Sequence, residues 1–262
     1  MSVTTRSLLS RCVVSADRTP AVRSGVRVTV CLVLVVLLAR PVSAGLPLDS
    51  IKDTKMRTTL RQVGLQVILG DSVRAMVNAN SLGWEIFHKG RKGQYRELAF
   101  CLALQGLAEL SLNLDREALW HWEAAQILLP ELHADLMNSY SEIAKVLDST
   151  PLRTHDSAVE WLRGEGKLAE GEGVTEPKII NMVSAVTPRR SPTALVNERV
   201  SVTYLVDMQG RVQAPKLVGE PPSDLAIFTV MQALMSWQYE PAKRNGELAW
   251  AVATSDFSFQ RK

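Results

Sequence analysis

The side chains best able to do chemistry are few in this chain and poorly spaced for it. There are four histidines, His88, His121, His133 and His155, and three cysteines, Cys12, Cys31 and Cys101. No two histidines stand four apart and none sits in a His-Glu-x-x-His frame, so no pair converges on a metal from one helix face. His121 and Glu123 are two residues apart, too close in sequence to share a helix face. The chain contains no Gly-x-Ser-x-Gly, no Walker loop and no dinucleotide fingerprint. Gly164 to Gly173 is glycine-rich, but no strand pattern precedes it and no Gly-Lys-Ser/Thr ends it. The acidic residues of the middle region fall on helical patterns, where charge is ordinarily solvated. No catalytic residue, cofactor or metal is expected, and the chain reads as a non-enzyme whose chemistry is recognition.

The most strongly patterned stretch is 200–259. Val200, Val202, Tyr204 and Val206 share one parity, with Ser201 and Thr203 on the other, as in a half-buried strand. Asp207 to Gly210 supplies a turn, with Gly210 free to take φ > 0. Val212, Ala214 and Lys216 continue as a second strand, which Pro215 marks as edge or bulged. Ser223 or Asp224 can cap a helix running from Leu225 through Trp237, and Pro241 stops it. Asn245-Gly246 is a turn, and Leu248, Trp250 and Val252 alternate into a last strand. Strand, strand, helix, strand describes a small α+β unit with a three-stranded antiparallel sheet. Its expected core is Val202, Tyr204, Phe228, Leu234, Trp237 and Phe257.

These residues resemble the C-terminal domain of the TonB family, the energy transducers of Gram-negative envelopes. The resemblance rests on Val206-Asp207 with Gly210, on Trp237, Tyr239, Pro241 and Ala242 at the helix exit, on Gly246, and on Phe257 with Phe259. Val186-Thr187-Pro188 is similar to the family's approach to its first short helix. The likeness covers about 177–260. The chain departs from the pattern at Glu198-Arg199, where the family usually has glycine, and it lacks the long proline-rich spacer of a full transducer. The resemblance implies binding to an extended segment of an outer-membrane receptor or other envelope protein, by strand addition. The family's last strand corresponds here to Leu248, Ala249, Trp250, Ala251, Val252, Ala253 and Thr254. Trp250 is then the foremost side-chain contact; it reads equally as a core aromatic on the sheet's inner face. An edge strand also leaves a homodimer by strand exchange open.

Residues 1–27 carry five arginines, an apolar run extends from Val28 to Ala39, and Val42-Ser43-Ala44 places small residues before a cut after Ala44. This is the pattern of a secretory signal peptide over 1–44, with export to the periplasm. An uncleaved N-terminal anchor in the inner membrane is the alternative, and it goes with the alternative function of an anchored energy transducer for outer-membrane transport. The segment holds six arginines and one acidic residue, so the +3 of the whole chain comes from it and the remainder is slightly acidic. A nucleic-acid partner is therefore not expected. Cys101 is left without a cysteine partner in the exported part.

From Leu48 to Leu162 the pattern is helical, in six segments with a basic turn at 89–93. Tyr95–Leu112 and Arg116–Leu129 resemble one tetratricopeptide (TPR) repeat, with Gly106, Ala118 and Ala125 at the small-residue positions and Pro130 closing the unit. Trp120 and Trp122 cannot share a face: either both are packing residues, or one lies on a partner-binding surface. The expected organisation is a signal peptide over 1–44, a TPR-like all-α domain over 45–163, a flexible linker over 164–176 and a TonB-type α+β domain over 177–262.

Overall fold

A computed structural model describes residues 48, 51–132, 140–150, 154–220 and 222–260. The signal-peptide or anchor segment, Cys12, Cys31 and the start of the fifth expected helix lie outside the described residues. No helix among the described residues is long and apolar enough to cross a membrane.

The helical part opens with α1 (Thr54–Ile68) and α2 (Ser72–Lys89). The Asp53 carboxylate caps α1 by accepting the Met56 N–H at 3.0 Å. Gly90 closes α2 in the left-handed region at φ 66°. Then come α3 (Tyr95–Ser111), α4 (Asp115–Leu128), α5 (Ser141–Asp148) and α6 (His155–Gly164). Helix α3 is buried on every side from Leu98 to Glu109, because α2 and α4 flank it and the helix of Asp224–Met235, α7, packs against it. Gly106 sets the α3–α4 spacing: a Cβ there would stand 2.8 Å from the Ala118 carbonyl oxygen. Asn113, at φ 59°, makes the turn between the two helices. Both tryptophans of α4 are buried, Trp120 at 2% and Trp122 at 0% exposure. They point opposite ways, and α4 is covered on both faces, by α3 and by the β region. Neither is on a surface.

The β region is built on a three-stranded antiparallel sheet of β3 (Arg199–Val206), β4 (Val212–Val218) and β8 (Ala251–Ser258), in the order β4-β3-β8. Val200, Val202, Tyr204 and Val206 face the core, as their alternation requires. β4 is an edge strand, and its register on β3 shifts between Thr203 and Leu205, opposite Ala214-Pro215. Ala214 there has φ 46°. Helix α7 (Asp224–Met235) is capped by the Ser223 hydroxyl and is buried nearly all round. Three short pairings complete the region. β2 (Lys178–Asn181) pairs β5 (Gln238–Glu240), and β6 (Ala242–Arg244) pairs both β1 (Val174–Thr175) and β7 (Glu247–Ala249). Asn245 (φ 53°) and Gly246 (φ 86°) form the β6–β7 turn, both in the left-handed region that a tight hairpin of this hand needs.

The helical and β regions form one compact unit over Ala44–Lys262 rather than two bodies on a tether. One core runs through both, and Phe228 of α7 joins them. Its ring lies 5.2 Å from Trp84 and 5.5 Å from Phe87, both on α2. The Asp224 carboxylate accepts the Gln94 N–H at 2.7 Å, so the first turn of α7 caps α3. The stretch expected as a flexible linker is folded. Leu168, 2% exposed, sits in a second cluster with Ala158, Leu162, Leu205 and Ala214, under α6. One apolar side chain and a few backbone hydrogen bonds outweigh the glycines around it.

Candidate functional site

The outer edge of β8 is positioned by its pairing with β3. The register runs from Arg199 opposite Ser258 to Val206 opposite Ala251 without a break. Phe259 continues it, its N–H donating to the Glu198 carbonyl at 3.1 Å. On the opposite side, the Trp250 N–H donates to the Lys167 carbonyl at 3.0 Å, and the Trp250 carbonyl accepts the Ala169 N–H at 2.7 Å. Backbone groups of an edge strand alternate in direction. The odd-numbered residues of β8, Ala251 and Ala253 among them, therefore bond to β3. The even-numbered residues, Val252 and Thr254, turn their N–H and C=O outward.

Beyond Ala169 the chain leaves this edge to form β1 on β6. The gap it leaves is a groove of 460 Å³, lined by Ala251 to Thr254 on one side and by Leu168 to Glu170, Val174, Glu176 and Pro177 on the other. The rim is acidic. Glu170 is bound by the Arg163 guanidinium at 2.7 and 3.1 Å, and that hydrogen bond holds its carboxyl below the usual range.

The seven residues proposed as one partner-binding strand are divided among three settings. Leu248 and Ala249 belong to β7 and pair with Lys243 and Ala242. Trp250 has both backbone groups taken, and its ring packs against the Leu168 cluster, so its edge is already occupied by the protein itself. Ala251 and Ala253 face β3, which leaves Val252 and Thr254 on the open edge. Lys167 to Ala169 and Glu176 were not singled out in the sequence. The one signal was Leu168, an apolar residue isolated in a charged, glycine-rich run.

Several motif residues of the β region are tied together through the β3–β4 turn and β5, while Gly246 sits apart at the β6–β7 turn. Asp207 is buried, and its carboxylate accepts the Gln209 and Arg211 N–H groups, each at 2.8 Å, and the Arg211 Nε at 3.0 Å. This fixes the β3–β4 turn. The Gly210 carbonyl at that turn accepts the Tyr239 N–H at 2.7 Å. The Tyr239 hydroxyl bonds that of Tyr204, which bonds Ser255 Oγ at 2.7 Å. Burial raises the Tyr239 phenol well above its ordinary value. The Trp237 indole donates to the Val183 carbonyl at 2.8 Å, and its ring lies 5.4 Å from that of Phe257, tilted by 35°. Val206 and Ala242 are fully buried, and Pro241 separates β5 from β6. Of the histidines, His121 is buried with Nδ1 2.6 Å from Glu109 Oε2, a packing role within the α3–α4 pair. No group of three or more His, Cys, Asp or Glu side chains able to hold a metal ion occurs among the described residues.

No family model matches the chain, and no curated protein matches it. Among solved structures it is similar to the C-terminal domain of TonB from Pseudomonas aeruginosa, determined in solution by NMR. The two are 21% identical over 36% of this chain and 95% of that one, with a TM-score of 0.27. The likeness is weak. What stands on the chain's own hydrogen bonds is a mixed α+β protein, helical in its first part, with small antiparallel sheets in its second.

Proposed function

We propose that this chain is a non-enzymatic interaction module of the periplasm that takes an extended segment of an envelope protein onto the outer edge of β8. The observation that carries the reading is the groove beside Ala251 to Thr254, in which Val252 and Thr254 turn their backbone groups outward. An incoming strand would complete those hydrogen bonds and continue the line begun by Lys167 to Ala169. The motif resemblance in the last third of the chain suggests the kind of partner, an outer-membrane receptor or another envelope protein. Glu176 on the rim favours a segment with a basic residue.

The test is amide hydrogen exchange on the whole protein, with and without extended peptides from outer-membrane receptors. Binding by strand addition protects the Val252 and Thr254 amides and leaves those of Ala251 and Ala253 unchanged. Protection confined to the helical part would overturn the reading. Export is checked separately by the N-terminal sequence of the protein in the soluble periplasmic fraction, expected to begin at Gly45.

A further inference from the structure

The stretch 179–186 carries five apolar side chains that the fold leaves in solvent. Ile179, Ile180, Met182, Val183 and Val186 are between 42% and 67% exposed. Among the described residues β2 pairs with β5 alone, and every residue of β2 is exposed, so neither of its faces meets the core. The backbone is nevertheless fixed. The Val183 carbonyl accepts the Trp237 indole N–H, and the Val186 N–H and C=O both bond the Thr229 hydroxyl on α7, at 2.9 and 3.0 Å. An exposed apolar run of this kind, held in place, marks an interaction site.

The same stretch runs on into Pro188, Arg189 and Arg190, which dock on the end of α2. Pro188 is buried, and a Cβ on Gly90 would stand 3.2 Å from it. The Arg190 N–H donates to the His88 carbonyl at 3.0 Å, and the Arg189 N–H to His88 Nδ1 at 3.4 Å. Both arginines are thereby set beside the basic turn that follows α2. In that turn Lys89 pairs with Glu85 at 2.9 Å and Lys92 with Glu198 at 2.7 Å. Arg91, Arg189 and Arg190 are exposed, and none has an ion pair or a side-chain hydrogen bond among the described residues. The crowding of positive charge is felt nearby. The Lys89 hydrogen bond, with Lys55 and Arg190 adding to it, holds the Glu85 carboxyl below its usual range, and burial followed by the Arg189 charge lowers the His88 imidazole.

We infer that this face docks on a bilayer of anionic phospholipid, with Ile180 and Met182 entering at the boundary of headgroups and acyl chains and Arg91, Arg189 and Arg190 holding lipid phosphates. The argument is one of complementarity. Guanidinium groups match phosphate oxygens in charge and in fork geometry. Exposed aliphatic side chains beside unpaired cations suit a surface that lays phosphate over hydrocarbon. Other occupants use half of this face. A strand added to β2 would need only its backbone edge and would leave the arginines idle. A second copy would bring the same cations and no anion for them. An acidic peptide would satisfy the arginines and leave the aliphatic run in water. Each arginine at an anionic surface contributes about fivefold in affinity, so the three together supply about a hundredfold. The face shares no residue with the groove beside β8.

The test is co-sedimentation with vesicles of phosphatidylcholine alone and of equal parts phosphatidylcholine and phosphatidylglycerol. The protein is the chain from Gly45 onward, which holds the whole compact unit and lacks the apolar run of 28–39. Binding is expected to the mixed vesicles, to weaken as salt is raised, and to be absent with phosphatidylcholine alone. Arg91, Arg189 and Arg190 changed together to Gln should weaken it about a hundredfold. Ile180→Ser with Met182→Ser should weaken it about tenfold while leaving the salt dependence in place. All of these side chains are exposed, and thermal melts verify that the variants fold. A control triple, Arg74, Arg116 and Lys243 changed to Gln, removes the same charge elsewhere and should retain binding. No binding to the mixed vesicles, equal binding to phosphatidylcholine alone, or an equal loss from the control triple would overturn the inference. Self-association that Ile180→Ser abolishes, with no vesicle binding, would overturn it in favour of a second copy of this chain.

Discussion

Gly210 stands directly against Tyr239. The Tyr239 N–H bonds the Gly210 carbonyl at 2.7 Å, and a Cβ on Gly210 would lie 1.9 Å from the Tyr239 carbonyl oxygen. Twenty-nine residues and a helix separate the two in sequence, yet their contact locks the β3–β4 turn to β5. It is also why the turn ends in glycine: φ is 77°, and there is no room for a side chain.

Gly210→Ala should therefore destabilise on both counts. The left-handed backbone costs about 1 kcal/mol for alanine, and displacement of β5 adds to it. A melting temperature lowered by several degrees is expected. An unchanged melt would mean that β5 does not cross the turn.

Trp237→Ala empties a large aromatic site and should cost about 3–5 kcal/mol. Trp237→Phe keeps most of the packing but orphans the Val183 carbonyl, a smaller loss of about 1–3 kcal/mol. Denaturant unfolding of the two variants should rank them in that order; no loss from Trp237→Phe would place the indole N–H in solvent.

Proline separates the two directions of β8. At Ala251 it removes an N–H directed at β3 and should unfold the sheet. At Val252 it removes an outward N–H, so circular dichroism should stay native while peptide binding at the groove falls. Loss of fold from Val252→Pro with tolerance of Ala251→Pro would reverse the assigned alternation.

Cutting the chain at the glycine-rich stretch should fail to release a stable C-terminal domain. A fragment over 177–262 exposes Phe228, which needs Trp84 and Phe87, and removes Leu168 from Trp250. The expected result is an unfolded or aggregating fragment. A cooperative melt from that fragment would show the β region to be self-sufficient.

The pH dependence of stability should carry a contribution from Glu123. Burial raises its carboxyl well above 4.5 in the folded protein. A carboxyl raised on folding favours the folded state fully below its unfolded value, and that contribution is lost as pH climbs through the folded value. Stability should thus decline on this account above about pH 4.5, and Glu123→Gln should flatten the decline and raise the melting temperature at about pH 8. A variant that melts lower than the parent at that pH would place a compensating partner on Glu123.

The sequence by itself determined the local elements. Val200 to Val206 alternate, so they form a strand with one buried face; Pro241 and Asn245-Gly246 end one element and turn the next; Gly106 and Asn113 permit a close helical pair. Each of these follows from residues within a few positions of one another, through backbone sterics and the period of burial. Tertiary structure alone decided two further matters: Leu168 ties a polar, glycine-rich run to Trp250, and Phe228 merges the helical and β regions into one core. Those outcomes depend on which surfaces are brought together across long stretches of chain, and neither composition nor periodicity encodes that.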